Sequence, residues 1–138
     1  MKYGLIAGAV LGAMVALTGC GKGEVEGKDI SASSSASDIG SAYIAEITRI
    51  ADALETVDDE ASARAAATEI RKATDGLKNM EEQLGGEVSG LKAMQIFGSN
   101  YEELASAQMR MVTAMTQLQT EHPELMEIIG EEVDRIGQ

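Results

Sequence analysis

The chain has 138 residues, with a single Cys at Cys20 and a single His at His122. Those two side chains set the outer limits of its chemistry. With no second Cys there is no internal disulfide, so Cys20 is a reactive thiol, half of an intermolecular disulfide or a modified residue. His122 stands between Glu121 and Glu124. One imidazole and two carboxylates make a poor zinc site, which wants further nitrogen or sulfur ligands, so His122 is expected as a polar residue at a helix junction. Met109, Met111 and Met115 suggest Cu(I), which favours thioethers. Residues 109 and 111, however, diverge by about 200° on a helix. Only Met111 and Met115 share a face, and core packing is the expectation for both. The pairs Glu81-Glu82, Glu102-Glu103 and Glu131-Glu132 lack the alternating ligands and central Gly of an EF-hand loop and are expected on solvated faces. No Ser has a Gly-x-Ser-x-Gly setting, and His122 has no evident nucleophile. Haem would want a C-x-x-C-H attachment, which is absent. Paired carboxylates could cleave a glycosidic bond, yet aromatic residues make up only 3% of the chain, with no Trp and one Phe, leaving no stacking platform for a sugar. The expectation is therefore no catalytic residue, no metal, no cofactor and no enzyme.

Cys20 ends a distinctive stretch. Met1-Lys2 precedes an uncharged run from Gly4 to Leu17, and small residues follow. One positive charge, a short apolar core and a small-residue exit are the parts of a secretory signal. The run is shorter than the roughly 20 residues that span a bilayer. Gly4, Gly8 and Gly12 do carry the small-xxx-small spacing of a packed membrane helix, so a retained helix stands as the alternative. Leu17-Thr18-Gly19-Cys20 resembles the lipobox of bacterial lipoproteins. The resemblance covers about the first 20 residues. It implies cleavage between Gly19 and Cys20, a diacylglyceryl thioether on Cys20, and a further fatty acid of the palmitate class on the new N-terminus. Two or more acyl chains anchor firmly where one does not. Gly21 in place of Asp, by resemblance to the enterobacterial sorting pattern, points to the periplasmic face of the outer membrane.

Charge narrows the partners. The whole chain carries −12, and without residues 1–19 roughly −13. Nucleic acid demands Lys and Arg for its phosphates, and anionic lipid attracts polybasic segments, so neither is an expected partner of the body. The membrane contact is expected through the acylated Cys20 alone.

Three segments follow: 1–19 as signal peptide, 20–37 as lipidated Cys and Gly/Ser linker, and 38–138 as one α-helical domain. The linker composition predicts a coil with a reach on the order of 20–25 Å for about 17 residues. A first helix is expected from about Ser37–Ser41, with Ile44, Ile47, Ile50, Leu54 and Val57 on one face. Asp58 or Asp59 is a good N-cap for a second. That second helix, from about Glu60 to Leu84, carries Ala63, Ala66, Ile70, Ala73, Leu77, Met80 and Leu84 in alternating steps of three and four, a heptad seam. Gly85-Gly86 ends it. A short helix is expected at about 88–97 on Leu91, Met94 and Phe97. A longer one is expected at about 100–121 on Tyr101, Leu104, Gln108, Met111, Met115 and Leu118, opened by a Ser99/Glu102 capping box. Pro123 starts a last amphipathic helix holding Leu125, Ile128, Ile129, Val133 and Ile136. No such helix hides its apolar face alone, so the expected fold is all-α: a small antiparallel bundle of three to four amphipathic helices with coiled-coil-like seams.

The function expected from these features is a non-enzymatic scaffold or adaptor, held by lipid and presenting a helical surface to another envelope protein or to a second copy. The Ala-rich seam of the second helix is the expected contact. The alternative is a periplasmic binder of a small ligand, a cation or a client protein, suggested by the Met content and the acidic surface.

Overall fold

The computed structural model describes residues 25–86 and 90–137. Cys20, Gly19 and the whole signal segment lie outside them. The described residues form an all-α bundle with no strand: α1 (Ala36–Glu55), α2 (Glu60–Leu84), α3 (Gly90–Phe97), α4 (Tyr101–Glu121) and α5 (Met126–Asp134). One-turn 3-10 helices stand at Gly27–Asp29, Pro123–Leu125 and Arg135–Gly137.

Local chemistry sets the ends. Ser35 Oγ accepts the Asp38 amide and starts α1. Asp59 and Ser62 cap α2 reciprocally: Asp59 Oδ1 accepts the Ser62 amide at 2.7 Å, and Ser62 Oγ accepts the Asp59 amide at 2.9 Å. These bonds satisfy amides that the first helical turn leaves unpaired. Gly85 ends α2 with φ of 78°, a left-handed conformation that Gly adopts without a Cβ penalty. The Ser99/Glu102 box is not formed. Asn100 occupies the N-cap of α4 without a side-chain bond, because the backbone turn Phe97–Asn100 already closes the junction.

Successive long helices alternate in direction. Glu46 of α1 lies against Gly76 of α2, and Val57 sits in the same core cluster as Ala63, across the short turn, so α1 and α2 run antiparallel. Arg110 of α4 reaches Asp52 and Glu55 of α1, while Ala107 shares a groove with Ile44. Arg71 and Asp75 of α2 meet Glu132 of α5 and Arg135, the first residue after it. The order is up, down, up, down, with α1 between α2 and α4, and α5 beside α2. Ile50, Leu54, Ile70, Ala114, Leu118 and Ile129 fill the main core. A second cluster, of Ile30, Ile39, Ala42, Met80 and Ile96, closes the other end. Each large aliphatic side chain buried here contributes about 1.5–3 kcal/mol.

Three expectations are corrected. The 20–37 linker is not coil throughout: Ile30 and Gly27 are buried against the body, and α1 starts at Ala36 rather than 38. On α4, Leu104 and Leu118 are buried and Met111 and Met115 pack on the core as expected, but Ala107 and Ala114 are buried as well, while Tyr101 and Gln108 face solvent. Two alanines allow α1 to approach closely, which larger residues would prevent. On α3 the buried residue is Ile96, while Leu91 and Met94 are exposed.

Candidate functional site

Two places in the bundle stand out: a buried polar contact and a set of exposed apolar side chains. The first is where the N-terminal segment docks. Val25 to Ile30 lie across α1 and α2, and the contact is built from polar groups. Gly27 donates its amide to Glu46 Oε1 at 2.7 Å. Asn79 Nδ2 donates to the carbonyls of Gly27 at 2.8 Å and Ile30 at 3.1 Å. Arg49 donates to Glu46 Oε2 at 2.8 Å and to Glu26 Oε1 at 3.3 Å. Space is as tight as the bonding. A Cβ on Gly27 would stand 2.6 Å from the Gly76 carbonyl oxygen, and one on Gly76 would stand 2.6 Å from Glu46 Oε1. Both glycines permit a close approach of backbone to helix.

Glu46 is 1% exposed. Burial pushes its pKa above the ordinary carboxylate value, against the opposing pull of the Gly27 amide and Arg49. Glu132 is similarly enclosed but shifts the other way. Its bonds to Arg71 and Arg135 hold its pKa below the ordinary value, against desolvation. Both acids escaped the sequence reading, which placed Glu131-Glu132 on a solvated face. Arg49 three residues after Glu46, and Arg135 three after Glu132, are the only local signals, and such spacing is common on exposed helices.

The second place is the exposed apolar side chains of α3 and of α4. Leu91, Met94, Tyr101, Met109 and Val112 are each between 58% and 80% exposed. On α4, Tyr101, Ala105, Met109 and Val112 recur at steps of four, four and three and share one face. The seam of α2 offers no such surface, contrary to expectation: Ala63, Ala66, Ile70 and Ala73 are buried in the chain's own core.

The other chemical candidates are scattered. His122 caps the C-terminus of α4, its Nδ1 3.5 Å from Glu124. Met111 and Met115 pack on the core while Met109 points to solvent. Among the described residues no group of three or more His, Cys, Asp or Glu could hold a metal ion, and no helix is long and apolar enough to cross a membrane. A groove of about 620 Å³ runs along α1, bordered by Val25, Thr48, Arg49, Asp52, Glu69 and Glu103. No family model, curated protein or solved structure matches the chain.

Proposed function

We propose that this protein is a lipid-anchored envelope protein, acylated at Cys20, that acts as a non-enzymatic adaptor through the exposed apolar face of α4. The observation that carries the reading is the set of large apolar side chains left in water on α3 and α4 by a bundle whose own seams are filled. Isolated surface apolar residues need no explanation, whereas an ordered stripe of them marks a contact. The lipobox pattern at residues 17–20 supports the membrane address, with the periplasmic face of the outer membrane as the proposed location.

Two measurements test it. The intact mass of the native protein should show an N-terminus at Cys20 carrying acyl chains; a chain starting at Met1, or a free thiol at Cys20, defeats the anchor. A photo-cross-linker at Met109 in intact envelopes should capture one defined protein, whereas one at Lys78, exposed on α2, should not. Equal capture from both positions defeats the adaptor.

The α1 groove favours a second reading, as a small-ligand or client binder. Its volume falls in the range of ligand pockets, and it has charged groups at its edge. Calorimetry with Cu(I), Ca²⁺ and a basic unfolded client tests that reading, and the absence of heat with all three removes it.

A further inference from the structure

The N-terminal segment is packed apart from the main core. Its one large buried side chain, Ile30, joins Ile39, Ala42, Met80 and Ile96, and Val25 packs on that same end cluster. The cluster that ties α1, α2, α4 and α5 together is built from Ile50, Leu54, Ile70, Ala114, Leu118 and Ile129, without the segment. The segment is also tied to itself. Asp29 donates its amide to the Glu26 carbonyl at 2.9 Å, and Ile30 donates to that of Gly27 at 3.3 Å, which closes a single 3-10 turn. A serine run then leads to α1. Ser31, Ala32, Ser33 and Ser35 are exposed, and the run bonds within itself: the Ser31 amide donates to Ser34 Oγ and the Ser34 amide to the Ser31 carbonyl, both at 3.0 Å. A compact turn with few buried apolar contacts, joined to the body by such a run, can leave without unfolding the helices.

Glu46 couples that opening to pH. Its carboxyl is buried beneath the segment and accepts the Gly27 amide. The charged groups that face it are Arg49 on its own helix and Glu26 and Lys28 on the segment, while Asp29 acts on Lys28. α2 presents Gly76 and Asn79, neither of which ionises. Of the ionisable residues flanking them, Lys72 is paired with Glu69, Asp75 with Arg135, and Lys78 faces solvent. Burial outweighs the partners and raises the Glu46 pKa. Once the segment leaves, water reaches the carboxyl and the cause of the shift is gone. The closed state therefore binds a proton more tightly, and closing gains as pH falls from the raised value to the ordinary carboxylate value. Glu26 acts the other way. Lys28 and Arg49 hold its pKa below the ordinary value. Arg49 lies on the body, so its share of that shift is lost on opening. What Glu26 adds to closing is complete above the ordinary value and disappears as pH falls through the lowered one.

We infer that residues 25–30 form a strap that opens as a unit while the helices stay folded, and that is closed most firmly in mildly acidic medium. On the anchor reading, on which this consequence rests, the strap also sets the reach of the tether. Closed, the chain from Cys20 meets the body at Val25, within about 17 Å; open, it meets the body at Ala36, within about 54 Å.

The test is hydrogen exchange of the full chain in detergent at a series of pH values, with each rate divided into the intrinsic rate of its amide at that pH. Gly27 and Ile30 should show the same protection, at least about tenfold below that of Ile50 and Ile70 in the core. That protection should rise as pH falls toward the ordinary carboxylate value and decline below it. Glu46→Gln should flatten the upper limb of the profile, and Glu26→Gln should flatten the lower. Both replacements keep the side chain's shape, and exchange at Ile50 and Ile70 reports whether the bundle is intact. Protection at Gly27 equal to that at Ile50 means that the segment leaves only with the whole bundle, and overturns the inference. Unequal protection at Gly27 and Ile30 does the same, as does a rise in mild acid that Glu46→Gln retains. A profile without that rise overturns it in the unaltered chain, whether or not either variant folds. The anchor is decided separately. A native N-terminus at Met1 removes the effect on reach and leaves the strap, whereas a failed exchange profile removes the strap and leaves the anchor.

Discussion

The Gly27 amide and the Glu46 carboxylate meet at 2.7 Å across 19 residues of sequence, in a place sealed from water. A buried amide without its acceptor costs about 1–3 kcal/mol. Glu46→Ala should therefore lower stability by roughly that amount, and the vacated volume adds to the loss. Glu46→Gln keeps a carbonyl acceptor for Gly27 and removes the buried charge, so its change should stay within about 1 kcal/mol. Urea unfolding of both variants, with hydrogen exchange at the Gly27 amide, checks this. Equal losses in the two variants would show that the carboxylate's charge, rather than its acceptor oxygen, holds the segment.

Gly27→Ala tests the closeness of the same contact. Its Cβ would meet backbone atoms of Gly76 at 2.6 to 2.9 Å, and a helix backbone cannot swing aside as a side chain can. The substitution should lift Val25–Ile30 off the body while leaving α1 and α2 intact. Limited proteolysis should then cut within 25–35 at least about tenfold faster, following the population of the opened state. Helical circular dichroism should hardly change. Gly76→Ala should also destabilise, by about 1–3 kcal/mol of overpacking. The usual gain of about 1 kcal/mol from replacing Gly in a helix is outweighed, because Glu46 is locked by Gly27 and Arg49 and cannot yield.

These contacts show where the fold could be read from residue order and where it could not. α2 was legible down to its ends, because Asp59, Gly85 and the 3-4 seam all act within one helix. The bundle class followed from apolar faces too large to leave in water. On α4 the residue order places Leu104, Met111, Met115 and Leu118 inward but misses Ala107 and Ala114, which carry little hydrophobic signal. What they offer is small size, and that has value only once α1 is known to lie against them. On α3, eight residues are too few for a period to outvote tertiary packing, so Ile96 rather than Leu91 turned inward. Glu46 and Glu132 were invisible for a different reason. A pattern of polar and apolar residues places every acid outside, and only the distant partners Gly27 and Arg71 make burial tolerable. The exposed stripe on α4 could be found only by subtraction, after the true buried face was known.

The two buried acids should respond to pH in opposite senses. Glu46 has its pKa raised in the folded state, so between the ordinary carboxylate value and the folded value the folded chain binds more protons. Its ionisation costs stability at neutral pH, and that cost disappears as pH falls through the folded value. Glu132 has its pKa lowered by Arg71 and Arg135. Its contribution is complete above the unfolded value and is lost as pH falls through the folded one. Side-chain carboxyl NMR should therefore find Glu46 titrating above, and Glu132 below, the ordinary carboxylate value. In denaturation curves across acidic pH, Glu46→Gln should abolish the gain and Glu132→Gln the loss. The reverse order of midpoints would mean that Arg49 and Gly27 outweigh burial at Glu46.

The docked segment also sets how close the proposed lipid holds the body. If Cys20 is the anchor, only five backbone steps separate it from Val25, so the body cannot stand more than about 17 Å from the acylated residue. An undocked Gly/Ser coil up to residue 37 would let the whole bundle tumble at the end of a longer leash. Val25 borders the groove on α1 beside Thr48, Arg49 and Asp52 and packs against the end cluster of Ile30, Ile39 and Met80, so the tether leaves beside α1 at that end of the bundle. In a nanodisc with spin-labelled headgroups, amide signals around Val25 and residues 45–52 should broaden most, and those near His122 less. Gly27→Ala should even out this pattern by releasing the segment, and a Gly/Ser insertion between Cys20 and Val25 should weaken broadening everywhere. Uniform broadening in the unaltered chain would mean that the segment detaches at a membrane surface, and that the bonds from Glu46 and Asn79 do not hold against thermal motion there.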